Sequence, residues 1–352
     1  MTQNTSGNGP LPAATDDATE DQSWLRRRIS GPATAILAAT VLLFVASAIL
    51  QPESLRGSSL AGMLPFAAVL AIVAVGQTLV IQQGGIDLSV PGFMSLTVVI
   101  VTHYPAGDSG KLPVAVLGAF VIAALGGLAS GLLVSRVGVT SIVVTLGMNA
   151  LLYGAVLGIS GGIPRSTTQA LRDIATAKAV GVPMTVVLAV IITAIVGFCI
   201  KRTVVGRRFE AIGSSNQAAR AIGLPVRRHQ LAAYVAAALL YCTAGVLLAG
   251  VVSAPSAFQG DTYLLPSVAA VVLGGTSLLG GRGSVVASAV AALFLSQLAQ
   301  VLLTSGVNSA VRNLVEAFAL AVGVAIYSVD WNRVLSTLNV RERSAAGAST
   351  GA

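Results

Sequence analysis

Runs of apolar residues, most of them long enough to cross a bilayer, alternate with short polar segments along the chain. A spanning helix needs about 20 such residues, and two of the runs are shorter than the rest. Ten spans are predicted, at residues 33–50, 62–82, 90–103, 112–134, 141–159, 183–200, 229–252, 265–279, 284–304 and 308–329. If one or both of the short runs do not span the membrane, the count is nine or eight. The pattern therefore predicts an all-α, polytopic transmembrane helix bundle.

Polar tails flank the predicted bundle of residues 31–330. Residues 1–30 contain no apolar core, so we expect a disordered N-terminal tail and no cleavable signal peptide. Residues 331–352 form the predicted C-terminal tail. Within the bundle, Gly127 and Gly131, and likewise Gly154 and Gly158, are four residues apart, a spacing that predicts close contact between helices.

Composition supports a membrane protein, since 55% of the 352 residues are hydrophobic, 10% are charged and the mean hydropathy is +0.84. These values exclude an ordinary soluble domain. The net charge of +8 would suit a nucleic-acid-binding protein, but the basic residues lie in loops between apolar runs. We therefore expect a lipid bilayer around the chain and no nucleic acid partner.

The basic residues also predict how the chain crosses the membrane. With both termini in the cytoplasm, six of the 21 Lys and Arg residues would lie outside and all the others inside. These six are Arg56, Lys111, Arg165, Arg172, Lys178 and Arg312. The bias favours this orientation, in which residues 161–182 form an external loop with a predicted amphipathic helix.

Residues 201–228 are the only long polar segment between two membrane-length apolar runs. The segment carries seven basic residues and a single acid, Glu210, so the same rule places it in the cytoplasm. The basic residues are Lys201, Arg202, Arg207, Arg208, Arg220, Arg227 and Arg228. The segment is therefore a candidate for contact with a cytoplasmic partner.

A short helix is predicted at the centre of this segment, over residues 216–222. Ser214 or Ser215 can cap its N-terminus, and Gly223 followed by Pro225 would end it. Its predicted apolar face consists of Ala218, Ala219 and Ile222. A helix this short needs support from the flanking spans, and a small apolar face suits a groove in a soluble partner. An interfacial loop with snorkelling arginines is the alternative.

Two glycine-rich breaks follow the second and eighth predicted spans and share the pattern GGxxL. The break residues singled out are Gly84, Gly85, Asp87 and Ser89 in the first, and Gly274, Gly275, Gly280 and Gly281 in the second. Glycine permits the interrupted backbone and tight turns expected there. Paired interruptions of this kind can mark repeated halves of a transporter. We expect both breaks to lie at cytoplasmic ends and not to form mid-membrane sites.

Two acids lie in or beside apolar spans, Asp87 and Glu316, and such carboxylates are candidates for a functional role. Structural roles compete with this interpretation. Asp87 can cap the helix after the first break, and both roles stay open for it. Glu316 lies four residues after Arg312 on one helix face, so we prefer an ion pair for it.

Polar side chains inside the spans are few and scattered, and four of them are candidates for lining a translocation path. These four are Gln77, Thr78, Asn149 and Gln297, with Gln300 nearby. The chain has no GxxxxGK[ST] phosphate loop and no Cys/His cluster. We therefore expect no catalytic site, no metal and no cofactor, and energy must come from a partner or an ion gradient.

Three stretches together resemble the membrane-spanning permeases of simple-sugar ABC importers, the family typified by the ribose permease. They are GQTLVIQQGGIDLSV (76–90), RRFEAIGSSNQAARAIGLPVRR (207–228) and LPSVAAVVLGGTSLLGGRGSVVASAVAALF (265–294). Their order and spacing match the family, and together they span most of the chain. The family often has glycine at the position of Pro91, so the entry into the third span differs here.

The resemblance implies a subunit of a bacterial inner membrane importer for a ribose-like sugar or a related polyol. It implies three partners: a cytoplasmic ABC ATPase, an extracytoplasmic sugar-binding protein and a second permease subunit, identical or different. It also implies that the segment matching residues 211–223 is the coupling loop that docks on the ATPase. The candidate coupling residues are Glu210, Ala211, Gly213, Asn216, Ala218, Ala219, Arg220, Ile222 and Gly223.

The competing hypothesis is a secondary transporter that an ion gradient drives and that carries a small polar solute. Such proteins usually place ionisable or coordinating groups near the middle of the membrane, and only Asp87 and Glu316 qualify. A membrane-embedded enzyme would need a cluster of acid, base or metal-binding groups that the sequence does not contain. Ribose, xylose, galactose and related polyols all stay open as substrates.

Overall fold

A computed structural model describes residues 32–308 and positions 310, 311, 314, 315, 317, 318 and 321. The predicted tails, the Arg312–Glu316 pair and most of the tenth predicted span lie outside the described residues. Within these residues the chain is almost entirely helical. One short antiparallel hairpin pairs β1 (Lys178–Ala179) with β2 (Val182–Pro183).

Twelve α-helices cover most of the described residues. They are α1 (Pro32–Leu50), α2 (Gly57–Gln82), α3 (Val90–His103), α4 (Leu112–Leu132), α5 (Ser141–Ser160), α6 (Gln169–Thr176), α7 (Met184–Arg202), α8 (Val204–Ser214), α9 (Asn216–Ala221), α10 (Val226–Val252), α11 (Leu264–Leu273) and α12 (Val285–Thr304). Short 3₁₀ helices occupy Pro52–Leu55, Ser109–Lys111 and Gln259–Tyr263, and a π-helical turn, Leu133–Val137, extends α4. The predicted all-α class is confirmed.

Seven of these helices are long and apolar enough to cross a membrane: α1, α2, α4, α5, α7, α10 and α12. They confirm the prediction of a polytopic membrane protein. Helices α3 and α11 are shorter, about 21 and 15 Å at 1.5 Å per residue, against a hydrocarbon core of about 30 Å. The predicted span at 265–279 is therefore wrong in length. Helix α11 ends at Leu273, because Gly274 and Gly275 turn the chain and Gly275 has a φ of 77°.

Helix α2 forms the centre of the bundle. Its residues from Ala67 to Gln82 are all buried, and α7, α10, α11 and α12 pack around it. A helix that is apolar on every side suits such a central position. The outer helices instead expose large apolar side chains, such as Leu42, Leu117 and Phe198. These outer faces have the character expected for contact with lipid or with another membrane subunit.

Close helix contact explains one of the two predicted glycine pairs. Gly127 and Gly131 of α4 face the backbone of α10, where a Cβ on Gly127 would lie 2.8 Å from the carbonyl oxygen of Tyr234. The prediction of close packing is confirmed for this pair. Gly154 and Gly158 of α5 have open space beside them, so this second pair makes no helix contact within the described part of the chain.

The segment between α2 and α3 runs alongside α5, from its N-terminus toward its middle. The backbone N–H of Ile86 donates to Ser141 Oγ at 3.1 Å, and that of Gly92 donates to Asn149 Oδ1 at 2.8 Å. These two partners are eight residues apart, about 12 Å along an α-helix. Helix α3 therefore begins well inside the bundle, and the first break starts at one end of the bundle but reaches into it.

Candidate coupling site and solute cavity

The polar segment 201–228 folds into two helices rather than one. Helix α8 begins after Thr203, whose Oγ1 accepts a hydrogen bond from the N–H of Gly206 at 3.1 Å. Helix α8 was not among the predicted elements. Its signal was present, since the buried residues Phe209, Ile212 and Gly213 follow the three- and four-residue spacing of an amphipathic helix.

Helix α9 has the termini that the sequence predicts. Ser215 Oγ accepts from the N–H of Ala218 at 3.2 Å, which caps the N-terminus. Gly223, with a φ of 78°, reverses the chain after the helix, and the N–H of Leu224 donates to Ala219 O at 2.9 Å. The capped, glycine-ended helix is confirmed.

The predicted apolar face of α9 is wrong in one residue. Ala219 is only 3% exposed and packs with Ile212 of α8 and Val226 of α10, because the chain after Gly223 folds back over it. Ile222, in contrast, is 74% exposed. Ala218 and Ile222, but not Ala219, are thus available to a partner.

The remaining coupling candidates, except the buried Gly213, lie on an exposed, basic surface. Lys201 Nζ lies 2.7 Å from Glu210 Oε1, an ion pair that joins the end of α7 to α8. Both side chains are partly exposed, so the pair is worth at most about 1 kcal/mol. Ala211, Asn216, Arg220 and Gly223 are exposed or partly exposed beside it.

Three segments far apart in sequence meet where α8 ends, and hydrogen bonds join them. The N–H of Gly281 in the second break donates to Gln82 O at the end of α2, at 2.9 Å. The side chain of Gln83 donates from Nε2 to Phe209 O of α8 at 2.8 Å. The structure thus brings the two predicted breaks together and places the end of α8 against both.

Glycines permit this contact between backbones. A Cβ on Gly213 would collide with Gln82 O, and a Cβ on Gly280 would lie 2.7 Å from Gly213 O and 3.1 Å from the N atom of Gly84. Gly281 in turn lies against Ser214 of α8. We call residues 82–84, 213–214 and 280–281 the junction. A side chain at the centre of the junction would have to push backbone apart.

The other break residues have structural partners. Asp87 is buried and accepts hydrogen bonds from both the N–H and the hydroxyl of Ser89, the residue at the N-cap of α3, so it contacts the start of that helix but does not itself cap it as expected. Gly85 makes room for the Tyr234 hydroxyl, and Gly274 for the backbone of α12. A functional role for Asp87 stays a prediction.

The four predicted path residues join helices to one another. Gln77 Oε1 accepts from the Tyr241 hydroxyl at 2.8 Å, and Thr78 Oγ1 donates to Ser288 Oγ at 2.9 Å. Gln297 Nε2 donates to Ser47 Oγ at 3.1 Å, while Asn149 accepts from the backbone of α3. None of the four lines the cavity described next, and their role in a path stays a prediction.

A cavity of about 1160 Å³ opens between α2, α11 and α12. It is lined by residues 58–70 of α2, by residues 261–269 and by residues 295–303 of α12. These parts of α2 and α12 are the halves farthest from the junction, so the cavity and the junction lie toward opposite ends of the bundle. Gln300 lines the cavity, and so does Asp261, an acid that the sequence analysis did not single out.

Membrane-length helices around two broken ones, with a cavity on one side, form the architecture of a transport protein. Comparison with known proteins identifies its family. The chain belongs to the family of branched-chain amino acid transport system permease components, whose profile matches residues 59–335. The predicted membership in the ABC permeases is thereby confirmed, and the chain is a multi-pass protein of the bacterial inner membrane.

Curated relatives share about a third of their residues with the chain. A probable ABC transporter permease protein of Sinorhizobium fredii is 32% identical over 83% of this chain and 88% of its own length. The Ribose import permease protein RbsC of Escherichia coli is 31% identical over 87% and 94%. An Autoinducer 2 import system permease protein of Enterobacter sp. is 32% identical over 80% and 81%. No solved structure gives a significant match.

Proposed function

We propose that the chain is the translocating subunit of an ATP-driven importer that carries a monosaccharide or a related polyol into the cytoplasm. A binding protein on the outside delivers the solute, and a separate ATPase subunit hydrolyses ATP. The observation that carries the proposal is the junction, where the exposed α8–α9 segment contacts both breaks of the central helices. The relatives named for ribose import favour a sugar over an amino acid.

The proposal assigns sides to the two regions. The junction and the basic α8–α9 surface face the cytoplasm, consistent with the positive-inside rule, and Ile222, Ala218 and Arg220 contact the ATPase. The cavity then opens toward the outside. Residues 31–330 form the permease domain, with residues 1–30 and 331–352 as cytoplasmic tails.

A second permease subunit, identical or different, completes the proposed transporter. The cavity is open on one side, and the outer helices expose apolar faces that are wide enough to pack against another membrane subunit. In this arrangement the path runs between the two subunits and each contributes one cavity wall. Cross-linking of the purified transporter would report the number of permease copies.

An importer driven by an ion gradient is the alternative, and the placement of acids does not favour it. Among the described residues, Asp87 is the only buried acid, and its Oδ1 already accepts two hydrogen bonds from Ser89. An ion-coupled transporter would more usually leave such a group free to bind the ion.

Uptake into proteoliposomes tests the proposal. The chain is reconstituted with its ATPase inside and with the binding protein and radiolabelled D-ribose, D-xylose or D-galactose outside. We expect uptake of at least one sugar that continues when ionophores collapse all ion gradients and stops when ATP is omitted. Uptake that survives without ATP but not without a gradient would establish the alternative.

A further inference from the structure

Asp261 is the only charged side chain among the described residues that line the cavity. It lies in the 3₁₀ helix Gln259–Tyr263, directly before α11. The stretch lies between the predicted spans at 229–252 and 265–279, and the sequence alone does not distinguish it from an ordinary loop. The structure places it against the membrane-embedded part of the bundle.

The depth of Asp261 follows from the helices on either side. Helix α11 runs from Leu264 to the second break at the junction, a length of about 15 Å, half of a bilayer core. On its other side, the N–H of Gly260 donates to Ser95 Oγ at 3.1 Å, in the second turn of α3. The N-termini of the two short helices therefore meet near the middle of the bundle, and Asp261 lies at that meeting point.

Transporters bind their solutes in such places. Discontinuous helices whose ends meet near the midplane typically form solute sites, and an intramembrane carboxylate there usually has a function. We propose that Asp261 contacts the solute during translocation and accepts a hydrogen bond from a hydroxyl group of a neutral polyol. This inference rests on the proposed function and adds the contact residue to it.

A tyrosine fixes the position of the carboxylate. The Tyr153 hydroxyl of α5 donates to Asp261 Oδ1, and the Tyr153 ring makes an edge contact with Phe258, with ring centroids 5.2 Å apart. One carboxylate oxygen is thus held, while the other makes no further hydrogen bond within the described part of the chain. A carboxylate held in this way can accept a hydrogen bond from a solute hydroxyl without first changing its own orientation.

The surroundings of Asp261 match a polyol better than an ion. Polar groups that can exchange hydrogen bonds with hydroxyls line the cavity at Thr262, Ser296 and Gln300, while Phe66 and Leu70 offer apolar surface for C–H groups. A cation site would need further charged oxygen ligands close by, and the described lining residues include no second carboxylate. An anion would be repelled. A neutral molecule with several hydroxyls fits both parts of the lining.

The test compares each transported sugar with its monodeoxy analogues in the reconstituted transporter. Wild type and the variant Asp261→Ala are assayed with the same binding protein, so differences in delivery cancel when the parent-to-analogue uptake ratio of the variant is divided by that of wild type. In wild type, removal of the hydroxyl that Asp261 contacts should lower uptake about tenfold, because a hydrogen bond to a charged group is lost. In Asp261→Ala, parent and analogue should be taken up at equal rates.

Two further variants separate contact from structural effects. Tyr153→Phe should weaken the preference for the parent sugar several-fold without abolishing it, since it frees the carboxylate but leaves it in place. Glu53→Gln is the matched control, because Glu53 is an exposed acid with a short ion pair to Arg56 on the surface. The control should keep the full preference of wild type for the parent sugar.

The possible results distinguish a failure of the proposed function from a failure of this inference. A wild type that imports none of the sugars with ATP would overturn the proposed function and this inference with it. A wild type that imports a sugar, together with an Asp261→Ala variant whose preference among the deoxy analogues is unchanged, would overturn the inference alone. Equal loss of uptake for all analogues in Asp261→Ala would also overturn it, since that pattern reports a structural role.

Discussion

At the junction, three backbone segments come into direct contact at glycines, whereas at the far end of α2 the helices α2, α11 and α12 stand apart around about 1160 Å³ of open volume. The junction has glycines at its closest contacts and is joined by hydrogen bonds to main-chain oxygens. The cavity is made of mixed apolar and hydroxyl side chains, several of them partly exposed. The two regions share α2, whose opposite ends contribute to them.

The difference indicates that, in the proposed transporter, movement is transmitted through one region of the protein and solute passes through another. Close-packed backbone has little freedom to deform, so a displacement of α8 must move both breaks with it. An open cavity, in contrast, can change its shape without breaking specific contacts. In the proposed transporter, the first region would transmit the ATPase cycle and the second would pass a weakly held solute.

The largest expected effect concerns the sides of the membrane that the two regions face. In a variant without Cys199 and Cys242, Leu279→Cys is placed beside the junction and Ser58→Cys in the cavity wall; Leu279 is 93% exposed. We expect an impermeant thiol reagent to label Ser58→Cys in intact cells and to label Leu279→Cys only after the cells are opened. Labelling of both from outside would contradict the assigned topology.

Replacement of the central glycine should break the junction. In Gly213→Ala the new Cβ meets Gln82 O, and relief of such overpacking costs about 1–3 kcal/mol or more. We expect ATP-driven uptake to fall at least about tenfold, since each 1.4 kcal/mol changes an equilibrium tenfold. The ratio of sugar imported to ATP hydrolysed should fall as well, because the ATPase would no longer move the breaks in step.

The matched control is Gly147→Ala in α5, where a Cβ has open space. This variant should accumulate and transport like wild type. If Gly213→Ala transported equally well, the junction would not be a rigid contact and its role in coupling would be wrong. Thermal stability of both variants in detergent shows whether the fold itself has changed.

Two substitutions in α9 distinguish the surface from the interior. Ile222→Asp places a charge on an exposed side chain, so the permease should fold normally yet lose co-purification with the ATPase, a loss of a few kcal/mol of docking. Ala219→Asp buries the carboxylate among Ile212 and Val226 and should lower the thermal midpoint of the permease itself. If the Ile222→Asp permease still co-purified with the ATPase, α9 would not be part of the interface.

The contrast in α9 also shows what the sequence could predict. The cap at Ser215, the stop at Gly223 and the long apolar helices depend on local chemistry, and the structure has them where expected. The burial of Ala219 depends on the chain folding back after the helix, which no local pattern encodes. The sequence grouped Ala219 with Ala218 and Ile222 on one face of α9, because it could not tell which of these residues the protein itself covers.

Broken helices were harder to predict for a related reason. Glycine pairs marked both breaks correctly, yet the sequence does not say that the two breaks meet, since Gln82 and Gly281 are far apart along the chain. The depth of a residue within the bundle is a second property that the local sequence does not encode. Asp261 follows a long span and precedes an apolar run, so it reads as a loop residue, and only the short length of α11 brings it into the bundle.

The smallest effect is expected in the cavity wall. Leu265 lines the cavity and is 69% exposed, so Leu265→Ala removes a side chain that packs against little else and leaves no new internal void. We expect uptake within about threefold of wild type and an unchanged thermal midpoint, as typical surface substitutions shift stability by about 0.5 kcal/mol or less. A tenfold loss of uptake in Leu265→Ala would show that the wall is packed against another subunit. The cavity would then be as tightly fitted in the assembled transporter as the junction is within this chain, and the contrast between the two regions would disappear.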